Sequence, residues 1–309
     1  MVAIVTALRV AIAPGRSDLM TAAVEAGGGV AAGADAPADA LVWLDPGDPH
    51  GARAAVDKTG ARWVQLPNAG IENFVAAGVL DPGRVWTCAK GAYAEPVAEH
   101  ALMLALAGLR SLPVRIMARS WGEPAAVSLY DAPVTILGGG GITECLLPLL
   151  APFRVEATVV RRSGAPVPGA ARTLPASRLA EALPDALVVF VALALTPQTV
   201  HVIGAPELAA MRPGSWLVNV ARGRHVDTGA LIDALDNGPI GGAALDVTDP
   251  EPLPDGHPLW GRPNCIITPH TADTPEMTDE LLARRVRVNV ARFAAGEPLD
   301  GQVDVTVGY

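Results

Sequence analysis

Residues 134–150 read VTILGGGGITECLLPLL: an apolar run, four glycines, and a second apolar run that holds a threonine, a glutamate and a proline. Such a stretch can hold the phosphates of a dinucleotide. The first glycine allows a tight bend, the second lets a pyrophosphate approach the backbone, and the third lets helix and strand pack closely. Gly138 and Gly140 meet the first two needs, but the third position is Thr143, whose branched Cβ is expected to push the helix away from the strand. Glu144 suits the dipole of a helix start yet repels a bound phosphate. Pro148, beyond the first turn, removes a backbone donor and clashes with the preceding carbonyl. By itself the segment fits either a pyrophosphate turn or a flexible glycine loop before a kinked helix. The next strand-like run ends in VVRRSG. An NAD site carries Asp or Glu there for the ribose hydroxyls, whereas here Arg161 stands, followed by Arg162 and Ser163. Two guanidiniums suit a 2′-phosphate, which favours NADP(H) over NAD(H); a solvated basic loop is the other reading.

The elements that must carry these residues follow from apolar patterning. Short β-rich runs recur early: VAIVTA (2–7), ALVWL (40–44), ARWVQLP (61–67) and RVWTCA (84–89), separated by Ala-rich or Gly/Pro-containing stretches, as alternating βα units require. From Glu95, EPVAEHALMLALAGLR predicts a long apolar helix with a proline in its first turn, bridging into a second unit. A second series follows: VTILG (134–138), VEATVV (155–160), ALVVFVAL (186–193), SWLVNVA (215–221), GGAALDV (241–247) and CIITPH (265–270). These continuous apolar runs fit a parallel sheet covered on both faces. GAPVPGAA predicts a surface loop, APELAAM and DTGALIDALDNG predict helices, the second closing at Gly238, and EMTDELLARRVRVNVARFAAG predicts a long amphipathic helix returning to the first unit.

At 309 residues and 50% hydrophobic content the chain can bury the cores of two domains. A formal net charge of −9, with Lys58 and Lys90 as its only lysines, argues against a nucleic-acid surface. No apolar run reaches the roughly 18–20 residues of a membrane span, and no signal peptide is expected. Cys88, Cys145 and Cys265 are far apart, so a reducing, cytoplasmic setting is expected. No His/Cys/Asp spacing suggests a metal site.

Three later stretches, WLVNVARGRHVDTGALIDAL, GGAALDVTDPEPLPDGHPLW and NCIITPHTAD, resemble the D-isomer-specific 2-hydroxyacid dehydrogenase family. The resemblance extends to LPNAGIENF, AYAEPVAEHALMLALA and ALTPQTVHVIGAPELAAMRPGSWLVNVARG, and so covers essentially the whole chain. Singly, His270 reads as a strand-end histidine, Arg222 as a strand cap and Glu251 as a loop charge; in the family's order the resemblance implies a catalytic trio. Arg222 would grip the carboxylate of a 2-keto acid and polarise its carbonyl. His270 would supply the proton, and act as base in reverse. Glu251 would orient the ring and stabilise its protonated form. Formate dehydrogenases of the superfamily pair the histidine with Gln, whereas this chain has Glu251.

The resemblance also assigns Asp246 to the nicotinamide carboxamide, with a purely structural strand-end role as the alternative. The backbone amides of Ala69 and Gly70 would hold the substrate carboxylate, or form a simple turn after a strand. Val97 would line the nicotinamide pocket, while Glu99 and His100 read as packing and capping residues between domains. His50, His201, His225 and His257 read as surface residues. Trp121 lies in the segment that forms the family's dimer contact, where it fits an interface anchor or a core residue. The expected architecture is α/β with two domains: a Rossmann-type doubly wound parallel sheet (99–273) inserted into a smaller flavodoxin-like substrate domain (1–98 and 274–309). The expected activity is NAD(P)H-dependent reduction of a small 2-keto acid, glyoxylate or hydroxypyruvate first, by a homodimer that engages neither nucleic acid nor membrane. A dinucleotide-sensing, corepressor-like binding protein is the alternative.

Overall fold

A computed structural model of the chain describes residues 7–308, so the strand expected over 2–7 falls almost wholly outside the described residues. The chain divides into two compact units, residues 1–93 with 274–309, and Ala94–Asp273.

The first unit alternates strand and helix: β1 (Arg9–Ala13), α1 (Asp18–Ala26), β2 (Val30–Gly33), β3 (Ala40–Trp43), α2 (Pro49–Thr59), β4 (Trp63–Gln65), α3 (Glu72–Ala76) and β5 (Val85–Thr87). Its strands are all parallel, in the order β2-β1-β3-β4-β5, the flavodoxin-like arrangement. The central strand β3 is buried along its whole length, as a parallel strand covered on both faces must be. Helix starts follow local chemistry. The Ser17 side chain accepts from the Met20 amide to open α1, and Asp48 accepts from the Gly51 amide ahead of Pro49 in α2.

The second unit opens with α4 (Ala94–Leu109) and α5 (Leu112–Met117) and continues through β6 (Pro133–Leu137), α6 (Gly141–Leu150), β7 (Glu156–Arg161), β8 (Arg172–Pro175), β9 (Val188–Val191), α7 (Ala205–Ala210), β10 (Trp216–Asn219), α8 (Thr228–Asn237), β11 (Gly242–Leu245) and β12 (Cys265–Ile267). All seven strands are parallel, in the order β12-β11-β10-β9-β6-β7-β8. The winding therefore reverses between β6 and β9. In an open α/β sheet that reversal opens a crevice at the carboxyl ends of the strands, which is where ligands bind. β9, β10 and β11 are buried throughout, and α4 packs over the sheet through Ala98, Ala101, Leu104 and Ala105.

The chain then returns to the first unit as α9 (Pro275–Ala295), whose Leu282, Ala283, Val286 and Val290 join Val10, Met20 and Val24 in one core. Buried Asn289 fixes its register: Nδ2 donates to Gln65 Oε1 at 3.0 Å and to the Asp300 carbonyl at 2.9 Å. Three strands lie outside the runs expected from sequence: β1, which follows the run 2–7 at Arg9–Ala13, and β2 and β8, each an edge strand of its sheet.

Candidate active site

The glycine turn joins β6 to α6 on the crevice side of the second sheet. Gly138 has φ +114°, and a Cβ there would collide with the Ala192 carbonyl that follows β9; only glycine lets the two switch-point strands end this close. Gly140 caps α6 with no side chain on the helix's first amides, and nothing lies within 4 Å of where its Cβ would be. The helix therefore presents free first-turn donors and positive dipole to open space, which is what a pyrophosphate needs. The Thr143 side chain is fully buried and its hydroxyl donates to the Gly138 carbonyl at 2.9 Å, fastening helix to turn. Glu144 and Pro148 both lie on the exposed face of α6. Arg161 ends β7, and its side-chain stem runs alongside Gly139. Exposed Arg162 and Ser163 follow in the turn. The residues present thus fit a dinucleotide.

Beyond the carboxyl ends of β12 and β11 stand a histidine and a glutamate. His270 follows β12 and Glu251 lies in the loop after β11; His270 Nδ1 meets Glu251 Oε1 at 2.7 Å. Glu251 Oε2 accepts from the Thr248 amide at 3.3 Å, so the carboxylate is held on both oxygens. The hydrogen bond to Glu251 raises the His270 pKa above its ordinary value; burial and the positive charge of Arg222 oppose that rise. Reciprocally, the bond from His270 lowers the Glu251 pKa against its partial burial. With Nδ1 engaged, Nε2 is left as the nitrogen that can face a substrate.

His270 has φ +49°, a left-handed backbone that a non-glycine residue adopts only when its surroundings impose it. Asp246 imposes it. The Asp246 carbonyl accepts from the His270 amide at 2.8 Å, while its carboxylate accepts from the amides of Thr271 (3.0 Å) and Ala272 (3.2 Å) and from the Thr268 hydroxyl (2.6 Å). His100 on α4 completes the ring, its Nε2 3.2 Å from the same carboxylate. Burial alone would raise the Asp246 pKa, but the bonds from His100, Thr268 and Thr271 outweigh it and hold the group lower. His100, expected to serve between domains, thus finds its partner inside its own unit.

Arg222 follows β10. The Asn219 side chain donates to the Arg222 carbonyl at 2.9 Å and accepts from the Ala221 amide at 3.1 Å, shaping the turn. A Cβ on Gly223 would collide with the Thr248 carbonyl, so the glycine after Arg222 lets its turn lie against the loop that carries Glu251. His225, expected on the surface, is fully buried in the short turn Gly223–His225. An imidazole flanked by backbone polar groups in the sequence ARGRHV gave no pattern by which to detect that. Val97 is buried in the core of the same unit. Trp121 is 96% exposed, which removes the core alternative for it. Ala69 and Gly70 belong to the first unit, in the loop after β4, where the Asn68 carbonyl accepts from the Ala89 amide at 2.7 Å. Among the described residues no group of three or more His, Cys, Asp or Glu is placed to hold a metal ion, and no helix is long and apolar enough to cross a membrane.

Residues 100–272 match the family described as D-isomer specific 2-hydroxyacid dehydrogenase, NAD binding domain. An uncharacterized protein of the proB 3′ region of Corynebacterium melassecola is 42% identical over 254 residues, covering 80% of this chain and 84% of that protein. Glyoxylate/hydroxypyruvate reductase A of Serratia proteamaculans is 32% identical over 178 residues, spanning 57% of this chain and 56% of the reductase. Among solved structures, a D-isomer specific 2-hydroxyacid dehydrogenase from Xanthobacter autotrophicus Py2, in complex with NADPH and MES, superposes with a TM-score of 0.85 at 26% identity, covering 98% of this chain and all of the other.

Proposed function

This chain belongs to the D-isomer-specific 2-hydroxyacid dehydrogenase family, NAD(P)-dependent oxidoreductases of 2-hydroxy acids, and from that premise we propose that it reduces a small 2-keto acid, glyoxylate or hydroxypyruvate, to the D-2-hydroxy acid with NADPH. The observation that carries the reading is the His270–Glu251 contact at 2.7 Å, beside an arginine whose charge His270 feels. A reduced nicotinamide, when bound, supplies the hydride. The chain's own residues do the rest. Arg222 pairs with the substrate carboxylate and polarises the carbonyl, and the Ala69 and Gly70 amides add donors to that carboxylate. His270 delivers the proton from Nε2 to the carbonyl oxygen as negative charge builds there, and Glu251 keeps it protonated until then.

For the cofactor, Gly138 and Gly140 would shape the turn, Thr143 would fasten it, and Arg161, Arg162 and Ser163 would hold the 2′-phosphate. The NADPH complex of the Xanthobacter protein supports that preference. Asp246 would accept from the nicotinamide carboxamide, and its bonds to the Thr271 and Ala272 amides hold the His270 turn. The exposed apolar segment around Trp121 is our candidate for a homodimer contact.

The decisive experiment follows cofactor fluorescence and keto-acid turnover together. NADPH should bind more tightly than NADH, and an Arg161→Ala, Arg162→Ala double variant should erase that margin. Arg222→Ala and His270→Ala should each cut glyoxylate reduction on the order of 100-fold or more while leaving NADPH binding nearly unchanged. Reduction at the parent rate in either single variant overturns the mechanism. Tight cofactor binding with no turnover of any 2-keto acid by the parent chain would instead leave the dinucleotide-sensing reading.

A further inference from the structure

We infer that His225 is a positioning residue for Arg222, a clip that ties the Arg222 turn to the loop after β9; this rests on the proposed role of Arg222. The imidazole is fully buried. Its Nε2 lies 3.3 Å from the Ala194 carbonyl, and its Nδ1 lies 3.3 Å from the Arg222 amide and 3.1 Å from the Arg222 carbonyl. An amide N–H only donates, so the Nδ1 facing the Arg222 amide accepts from it, and a carbonyl only accepts, so the Nε2 facing Ala194 carries the hydrogen. The Arg222 carbonyl needs nothing further from the ring, since it already accepts from the Asn219 side chain at 2.9 Å and the His225 amide at 3.2 Å.

That arrangement matters because Arg222 stands in extended backbone just beyond β10, with φ −143° and ψ 145°, where repeating hydrogen bonds no longer fix the chain. Three attachments replace them. Asn219 braces the turn from its own strand, Gly223 lets it lie against the Thr248 carbonyl, and His225 reaches across to the loop after β9. The backbone around His225 repeats the tie: the His201 amide donates to the Arg224 carbonyl at 2.8 Å and the Ile203 amide to the His225 carbonyl at 3.0 Å. The segment 194–203 therefore lies along the Arg222 turn, and His225 is the side chain that joins them at the end nearest Arg222. A guanidinium that must meet a carboxylate and a carbonyl oxygen at once tolerates little displacement, and a shift of about 1 Å in such a group can cost on the order of 100-fold in rate.

The test compares His225→Leu, which removes both bonds, with His225→Asn, whose Oδ1 can replace Nδ1 as acceptor for the Arg222 amide. NADPH binding sites are counted by fluorescence titration, so that rates refer to folded protein, and glyoxylate reduction is followed against pH. His225→Leu should lower kcat/KM per binding site on the order of 100-fold, with the NADPH dissociation constant and the pH of the His270 limb unchanged. His225→Asn should recover part of the loss. A residue serving stability alone would lower the number of binding sites and leave kcat/KM per site where it was, and that result overturns the inference while the proposed activity stands. If the parent chain reduces no 2-keto acid, the activity itself falls and takes the inference with it. Failure of His225→Asn to recover anything, with both variants equally impaired, also overturns the assignment of Nδ1 as the acceptor.

Discussion

In the proposed mechanism the pair of His270 and Glu251 sets the pH behaviour of the site: reduction would consume a proton from the imidazolium, so its rate would fall as pH rises through the His270 pKa, which the bond to Glu251 raises. The sign is fixed: Glu251→Gln removes the negative partner, lowers the pKa and moves the falling limb of kcat/KM to lower pH, while the oxidation direction, which needs the neutral ring, gains on its acid side. At pH 8 the loss in reduction should be on the order of 10-fold or more, and a limb that stays in place would break the assignment. Asp246 governs geometry rather than proton supply. Asp246→Asn puts an amide NH₂ among donors, the Thr271 and Ala272 amides and the Thr268 hydroxyl, and should cost about 2–4 kcal/mol in urea unfolding at neutral pH. Because the folded pKa of Asp246 lies below its ordinary value, its contribution is present above the ordinary carboxylate range and fades as pH falls through the lowered value. The stability gap between Asp246→Asn and the parent should therefore narrow in acid.

At the scale of elements, α6 carries a proline in its interior. Pro148 lies inside the helix on its exposed face; it cannot donate to the Glu144 carbonyl and buries nothing in exchange. Pro148→Ala should raise stability by about 1–3 kcal/mol, read as a higher urea midpoint at constant m. An unchanged midpoint would mean the last turn of α6 is already relaxed around the ring. What was legible in sequence follows the same physics. The central strands β3, β9, β10 and β11 are covered on both faces, so their apolar runs are continuous and stand out. Edge strands β2 and β8 read VAAG and RTLP; each pairs on one side only, and no apolar periodicity marks it. The positions of Arg222, Glu251 and His270 just beyond β10, β11 and β12 were legible because each sits in an ordered motif at a strand end. His225 and His100 were not, because a buried imidazole is defined by the carbonyl or carboxylate it meets in space, such as Ala194 or Asp246, far away in sequence. Thr143 is partly legible for a related reason: its bulk is visible in sequence, but the Gly138 carbonyl that accepts from its hydroxyl is not.

For the whole molecule, the question is whether two copies associate. Leu112, Val114, Ile116, Met117, Trp121 and Val127 are all exposed within one short stretch of the second unit. Single exposed apolar residues are ordinary, whereas several close together in sequence with an exposed tryptophan support the dimer contact proposed above. Against it acts the net charge of −9 on each copy, which repels at long range but is screened beyond roughly 8–10 Å at physiological salt. The two effects oppose each other and are separable. If the contact is apolar, added sodium chloride weakens the repulsion and leaves the attraction intact, so the dimer should tighten between 20 and 300 mM salt; a contact made of ion pairs would loosen instead. Trp121→Ala should cost about 2 kcal/mol of association, roughly 30-fold in Kd, as expected for a buried aromatic anchor at the centre of such a contact. Sedimentation equilibrium of the parent and Trp121→Ala across both salt concentrations reads all of this at once. A parent chain that stays monomeric at high micromolar concentration in 300 mM salt would show that the Trp121 stretch is not a surface for its own copy.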